Sequence, residues 1–236
     1  MVHTTSDILS RLDAKLALLV GRIEQSSMYE TFTNPDTDFS LVVAIMKNIM
    51  LETYSYGRYV TEATATAIGR LGDDRHGLIH PLMEHLLSEV GHPELALQAY
   101  VELGGDEAAA RSSRPSPAAF GVGAVCRQLA QTESPFSYLG YMYLLEGSTA
   151  VVAPRFHQIL ERIGKPLRFI TVHAEEDTDH VDYLGSLIRK ISHNYPEAGP
   201  TIEFSFDCFA SVYPAPVWAE ALHRATEESY AVSKAV

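Results

Sequence analysis

Cysteine and basic residues are scarce in this chain of 236 residues. Its two cysteines, Cys126 and Cys208, lie far apart and form no CxxC pair, which argues against a disulfide framework and a thiolate zinc site. Lysine and arginine total 18 against 30 acidic residues, giving a formal charge of −12. Nucleic-acid binding depends on clustered Lys and Arg, so no nucleic-acid partner is expected. The acidic balance is typical of a solvated surface.

Long apolar runs are also missing. No run of about 18 apolar residues occurs, so the sequence predicts no membrane-spanning helix and no membrane partner. Asp, Arg and Lys interrupt the N-terminal segment MVHTTSDILSRLDAKLALLV, which therefore lacks the apolar stretch of a signal peptide. A cytoplasmic protein is the expectation.

Apolar residues recur at helical rather than alternating spacing through most of the chain, which predicts an all-α fold. Hydrophobic residues make up 46% of the chain, as in an ordinary globular core. A single domain over residues 1–236 is expected, because no low-complexity linker divides the helical segments. Helices are predicted over about 6–25, 39–54, 56–71, 77–90, from Pro93 onward, 135–164 and 167–192, with a long loop at 104–117 and two short pieces in the tail.

The segment VHAEEDTDHVDYL contains an HxxxDxxH pattern formed by His173, Asp177 and His180. At about 100° per residue, Asp177 and His180 lie about 40° and about 20° from His173, so all three side chains leave one helix face. Two imidazoles and a carboxylate suit divalent iron, manganese or zinc. The segment is also strongly acidic, and a solvated face with incidental histidines explains the pattern equally well when it is taken alone.

Two shorter signals precede this triad. Glu89 and His92 form ExxH in SEVGHPEL, a ligand pair of helix-bundle diiron proteins, although a helix that simply ends at Gly91 also explains it. Glu146 lies among apolar residues in FSYLGYMYLLEGSTAVVA, where an ionised carboxylate is costly unless it is paired or coordinated. A glutamate at a helix rim, facing water or an arginine, is the alternative.

Taken together, the three signals indicate one metal centre. Three helices each supply a carboxylate, and three histidines accompany them. The predicted ligands are Glu89, His92, Glu146, His173, Asp177 and His180. Six ligands are too many for a single zinc ion, which takes about three or four. They suit two iron ions with bridging carboxylates and open positions for oxygen.

In this order, the six residues resemble the ligand set of the haem-oxygenase-like diiron oxidases and oxygenases. The resemblance covers about residues 40–195 and rests on the ordered set rather than on any one motif. It implies a haem-oxygenase-like bundle of about seven core helices without haem. It also implies two Fe(II) ions as cofactors, O2 as co-substrate and a homodimer.

The resemblance implies oxidation or oxygenation of a small-molecule substrate. We expect an amino-acid-like or amine substrate, N-oxygenated or oxidatively cleaved in specialised biosynthesis. A fatty-acid decarboxylase of the same family is the alternative, and it would need a long apolar tunnel. A metal-free relative of the thiaminase or pyrroloquinoline-quinone-synthase type would not need all six ligands. A metal-storage or partner-binding protein is a further alternative, although ferritin-like proteins usually carry two ExxH motifs.

Two further side chains are predicted to lie near the metal ligands, in catalytic or substrate-contacting positions. Tyr143 precedes Glu146 by about one helical turn, and His85 precedes Glu89 by about one turn. Core packing is the alternative for the tyrosine, and a satisfied buried histidine is the alternative for His85. Three cations, Arg155, Lys165 and Arg168, are candidates to hold a substrate carboxylate, but helical counting assigns none of them.

Overall fold

A computed structural model describes residues 6–72 and 76–235, and in this part of the chain all regular structure is helical. This confirms the predicted all-α fold class. The helices are α1 Ser6–Glu24, α2 Ser27–Thr33, α3 Phe39–Gly69, α4 His76–Glu89, α5 His92–Glu102, α6 Glu107–Ser112, α7 Pro117–Thr132, α8 Ser137–Arg162, α9 Arg168–Asn194, α10 Ala198–Ala210 and α11 Ala215–Ala235. None of these helices combines the length and apolar character needed to cross a membrane.

Polar side chains define several helix starts. The side-chain oxygens of Ser26, Asp38 and Ser116 accept backbone N–H groups in the first turns of α2, α3 and α7. Such caps satisfy amides that have no partner inside the helix, and each is worth about 1 kcal/mol. The starts of these helices are therefore encoded locally.

Two long helices organise the core. The α3 helix packs most extensively against α5, α7 and α11, and α8 packs against α9 and α10. Every residue from 137 to 144 is buried, so the first two turns of α8 are surrounded by other helices. One hydrophobic cluster receives side chains from all eleven helices. A polar side chain in these first turns of α8 therefore faces protein rather than water.

Two predicted boundaries are wrong. The helices expected over 39–54 and 56–71 form one helix, α3, because Ser55 does not interrupt it. Ser55 is buried, and its hydroxyl donates to the carbonyl of Leu51 one turn earlier, a bond compatible with a continuous helix. The predicted loop at 104–117 contains a short helix, α6, because Asp106 caps its start by accepting from the amide of Ala109.

The contact between α8 and α10 depends on a glycine. A Cβ atom added to Gly140 would lie 2.1 Å from the carbonyl oxygen of Ile202 and 2.8 Å from the amide nitrogen of Phe206. Both atoms belong to the α10 backbone, which cannot move away as a flexible side chain could. The two helices can approach this closely only because residue 140 has no side chain.

Gly140→Ala should therefore lower the free energy of unfolding by at least about 2 kcal/mol, since the added methyl group forces α8 and α10 apart. Gly121→Ala on α7 is the matched control, because a Cβ at Gly121 meets nothing within 4 Å. The control should gain up to about 1 kcal/mol from its better helix propensity. Urea unfolding followed by circular dichroism measures both, and equal stability of the two variants would contradict the close-packing interpretation.

Candidate metal centre

Four helices bring histidines and carboxylates together at one place in the core. The α4 helix supplies His85 and Glu89, α5 begins with His92, and α8 supplies Glu146. The triad His173, Asp177 and His180 comes from α9. The structure thus brings together all six residues predicted as ligands, and it adds His85 to them.

The ExxH pair spans a break between two helices. The α4 helix ends at Glu89 and α5 begins at His92, with Gly91 between them at φ 107°. This left-handed conformation strongly favours glycine. The resulting turn leaves Nδ1 of His92 2.9 Å from Oε2 of Glu89. The helix therefore ends near Gly91, as one alternative from the sequence has it, and the two side chains still meet.

A hydrogen bond ties α4 to α9 near the ligands. Pro81 lies inside α4 and has no N–H to donate, so the helix is weakened one turn before His85. The Tyr183 hydroxyl, from α9, donates to the carbonyl of Pro81 at 2.9 Å. This bond joins the helix carrying His85 and Glu89 to the one carrying the triad.

One half of the centre consists of His85, Glu89, Glu146 and His180, whose ligand atoms all lie within 4.8 Å of one another. Nδ1 of His180 lies 3.4 Å from Oε2 of Glu146 and 3.6 Å from Oε1 of Glu89. Nε2 of His85 lies 3.7 Å from Oε1 of Glu146, beyond hydrogen-bond length. Two imidazoles and two carboxylates therefore face one small volume.

The other half is formed by His92 and His173, and the carboxyl group of Asp177 lies close enough to Glu146 and Glu89 to be influenced by their charges. The ring centroids of His92 and His173 are 4.7 Å apart. Nδ1 of His173 is 2.7 Å from the carbonyl oxygen of Phe169, so this nitrogen is the donor and Nε2 is free to act as a ligand. Glu89 joins the two halves, because Oε1 faces His180 while Oε2 faces His92.

Buried polar atoms without partners provide a test of whether these residues suit a metal. Both ring nitrogens of His85, Oε1 of Glu89 and Oδ2 of Asp177 are buried and have no hydrogen-bond partner among the described residues. Buried polar groups are normally paired, so orphaned atoms on three neighbouring side chains need an explanation. Divalent cations satisfy carboxylate and imidazole donors together, and the donor set fits iron. The residues therefore fit the predicted metal.

The carboxylates influence one another strongly in the absence of a metal. Burial, followed by the nearby charges of Glu146, Glu89 and Glu176, raises the pKa of Asp177 to about 9. Burial opposes ionisation of Glu146 as well, but the rings of His180 and His85 outweigh it and lower the pKa of Glu146. One carboxyl group thus keeps its proton while its neighbour stays ionised, as expected of like charges sharing a buried site.

An apolar cavity of about 110 Å³ adjoins the ligands. Glu89, His92, Glu146 and His173 occupy its polar end. Side chains from α3, α8, α9 and α11 form the other walls, including Val60, Met142, Phe156, Ile170 and Trp218. No lysine or arginine is among the lining residues in the described part of the chain. Arg155, Lys165 and Arg168, considered as substrate anchors, are therefore not among them.

Hydroxyl groups are the other polar features of the cavity. Tyr213, Tyr56 and Thr149 line it, and the rings of Tyr56 and Tyr213 meet edge to face with their centroids 5.6 Å apart. Burial raises the pKa of Tyr213 and of Tyr56, so both hydroxyls keep their protons. Sequence reasoning missed this pair, because it depends on contacts between residues far apart in the chain.

Tyr143 lies apart from the cavity. Its hydroxyl donates to a carboxylate oxygen of Asp13 on α1, and it is not among the lining residues. The charges nearest to its hydroxyl belong to Asp13, Arg189 and Asp182. This position favours a structural role, in which Tyr143 fastens α1 to α8, over the predicted catalytic one.

Comparisons with known proteins agree with this architecture. A model of the family described as iron-containing redox enzymes matches residues 48–213. No curated protein matches the sequence significantly.

Three solved structures resemble the whole chain. A domain of unknown function with a heme oxygenase-like fold from Shewanella denitrificans OS217 has a TM-score of 0.73 at 20% identity, covering 97% of this chain and 96% of its own. A TenA homologue from Pseudomonas syringae pv. tomato DC3000 has a TM-score of 0.68 at 14% identity, covering 96% and 97%. A CADD-like protein of unknown function from Nostoc punctiforme PCC 73102 has a TM-score of 0.66 at 17% identity, covering 93% and 97%. The fold is therefore haem-oxygenase-like, as the sequence predicted.

The raised pKa of Asp177 predicts that Asp177→Asn stabilises the metal-free protein at alkaline pH. In the wild type, the unfolded carboxyl loses its proton near pH 4 and the folded one near pH 9. Stability is therefore fully present below about pH 4 and falls as the pH rises towards 9. Asparagine has no proton to lose, so it avoids this loss.

Urea unfolding with a chelator at pH 5 and pH 8 measures the difference. The advantage of Asp177→Asn over the wild type should grow by about 1–3 kcal/mol between the two pH values. Asp179→Asn, an exposed change on the same helix, should show no such growth. An advantage that stays constant with pH would contradict the raised pKa.

Proposed function

Because the chain belongs to the family of iron-containing redox enzymes, we propose that it is a non-haem diiron oxidase or oxygenase that uses O2 on a small-molecule substrate. The observation that carries this proposal is the convergence of buried and half-buried histidines and carboxylates, several of them with unpartnered atoms, beside an apolar cavity. A ligand cluster and a substrate-sized space therefore adjoin one another.

The chain's own residues account for the two metal positions. His92 and His173 form one group of ligands, His180 with Glu146 forms the other, and Asp177 lies near Glu146 and Glu89. Glu89 directs one carboxylate oxygen to each group, which suits a bridging ligand. Two ferrous ions held there would supply electrons to dioxygen. Asp177, buried and unpartnered at Oδ2, would ionise as it binds metal, because metal binding releases ligand protons.

The cavity favours an enzyme over a metal-storage protein. Its walls are apolar and buried, and small-molecule sites are typically lined in this way with a few polar groups that fix orientation. A storage role requires ligands and a route for ions but no enclosed apolar space beside them. The same ligands count against a metal-free relative, since without a metal Asp177 is buried without a partner for Oδ2.

The lining also narrows the substrate class. An amino acid carries both a carboxylate and an ammonium group, and each needs a partner when it is buried. With Glu89 and Glu146 bound to metal, the metal positions offer one place for a charged or polar head, and the described lining has no lysine, arginine or further carboxylate to pair a second charge. We therefore propose a substrate with an apolar body and a single charged or polar head. This favours an amine or a carboxylic acid over the zwitterion.

The size of the cavity limits the length of the apolar body. Cavities of about 150 Å³ accept a molecule such as benzene, so about 110 Å³ suits a short chain. The hydroxyls of Tyr56 and Tyr213 line the same space, and their retained protons allow them to donate to a substrate oxygen or nitrogen. If the substrate is a fatty acid, this cavity supports one with a short chain.

Iron titration tests the proposed centre. Anaerobic apo-protein should bind about two Fe(II) ions per chain, and O2 should then oxidise them in a reaction followed by absorption. His173→Ala should bind about one ion fewer and slow this oxidation at least about tenfold, because it removes a direct ligand. The exposed His193→Ala on the same helix is the control and should behave as wild type. No stoichiometric iron binding by the wild type would overturn the proposal.

Three compounds with one common tail test the substrate class. Isopentylamine carries an amine, 4-methylpentanoic acid carries a carboxylate, and leucine carries both groups on the same branched chain. One of the two singly charged compounds should accelerate oxygen uptake by the iron-loaded protein at least about tenfold more than leucine, which must bury an unpaired charge. Acceleration by leucine alone would contradict the inferred class.

A cavity-filling variant checks that the triggering compound binds in this space. Ala153 is buried and lines the cavity, so Ala153→Phe should raise the half-saturating concentration at least about tenfold while leaving iron stoichiometry unchanged. Ala124→Phe on α7, an exposed position, is the control. Equal effects of the two substitutions would place the substrate elsewhere.

A further inference from the structure

We propose that His85 is a seventh protein ligand, which completes the half of the metal centre formed by Glu89, Glu146 and His180. This inference rests on the proposed diiron function and adds a histidine that the six-residue pattern does not contain. From the sequence, His85 is expected only in a catalytic or substrate-contacting position, with a satisfied core histidine as the alternative.

The surroundings of His85 are those of a ligand without its ion. The residue is 3% exposed, and neither Nδ1 nor Nε2 has a hydrogen-bond partner among the described residues. A buried imidazole normally donates from one nitrogen and accepts at the other, so two orphaned nitrogens leave a substantial desolvation cost. The interpretation of His85 as a satisfied core histidine therefore does not fit the structure.

An ion pair with Glu146 does not remove this cost. Nε2 of His85 lies 3.7 Å from Oε1 of Glu146, so the two atoms are near one another without a hydrogen bond. A protonated ring would also leave its Nδ1–H unpartnered. A cation between the ring and the carboxylate would satisfy Nε2 and Oε1 together.

His85 lies on the same helix face as Glu89, a predicted ligand, because it precedes Glu89 by four residues on α4. Its ring centroid is 5.7 Å from that of His180, and the two rings meet edge to face. The ligand atoms of His85, Glu89, Glu146 and His180 lie within 4.8 Å of one another, which is close enough for one ion to contact all four.

His85 also balances the two halves of the centre. The half containing His92 and His173 has two imidazoles. Without His85, the half containing Glu146 has one, from His180. With His85, each half has two imidazoles and at least one carboxylate, and Glu89 lies between them. Both positions then offer the mixed nitrogen and oxygen ligands that suit ferrous iron.

Metal binding to the variant His85→Ala tests this assignment. Fe(II) and Co(II) should bind to the wild type at about two ions per chain. The variant should keep one tight site and bind the second ion at least about tenfold more weakly. His80→Ala is the matched control, because His80 lies on the same helix with its side chain 80% exposed, and it should bind two ions as wild type does. Isothermal titration and visible Co(II) spectra measure these affinities without depending on turnover.

Two further measurements separate ligation from packing. Added imidazole should restore the second site in His85→Ala, and His85→Phe, which fills the space without a nitrogen, should not respond to imidazole. Pulsed electron paramagnetic resonance of the wild type, with histidine labelled with ¹⁵N, should detect four coordinated imidazoles, whereas the six-residue set predicts three.

The possible results distinguish the two proposals. Two tight ions in His85→Ala, or three imidazoles in the wild type, would overturn the role of His85 and leave the diiron function standing. Failure of the wild type to bind two ions would overturn both. Should the alanine variant fail to fold, His85→Phe and the count of imidazoles in the wild type still decide the assignment.

Discussion

The burial of negative charge in an apolar bundle is the constraint on which the rest of the structure depends. Glu146 and Asp177 are 4% and 1% exposed, and Glu89 lies beside them. Like charges at this separation cannot all ionise in a medium that solvates them poorly, so the metal-free protein keeps a proton on Asp177. Cations remove the conflict, because they favour the ionised form of each ligand and fill the space between them.

A centre built in this way requires helices that hold their positions. The Tyr183 hydroxyl joins α9 to the carbonyl of Pro81 on α4, and Tyr143 joins α8 to Asp13 on α1. Gly140 allows α10 to lie directly against α8. These contacts lie outside the ligand cluster but determine the distances within it. Side chains fixed by packing and hydrogen bonds keep ligands oriented before the metal arrives.

Sequence reasoning succeeded where the signal was local. The helical period aligned His173, Asp177 and His180 on one face, and the apolar surroundings of Glu146 marked a carboxylate that needs a partner. It did not predict contacts between segments that lie far apart in the chain. The direction of Tyr143 depends on how α1 packs against α8, and Tyr213 reaches the cavity from the turn before α11. The continuity of α3 was missed because no single residue in its middle signals that the helix goes on.

The apolar cavity and the candidate metal centre share residues and belong together. The described lining of the cavity contains two charged residues, Glu89 and Glu146, with histidines beside them. All of these residues are predicted or proposed metal ligands. A charged substrate group must therefore lie at that end, next to the metal positions, while the apolar walls hold the remainder. With no lysine or arginine in the described lining, the proposed substrate would have one favourable orientation, with its polar head towards the proposed iron. The absence of a second charge partner, which argues against a zwitterion, would thus also position the bond to be oxidised.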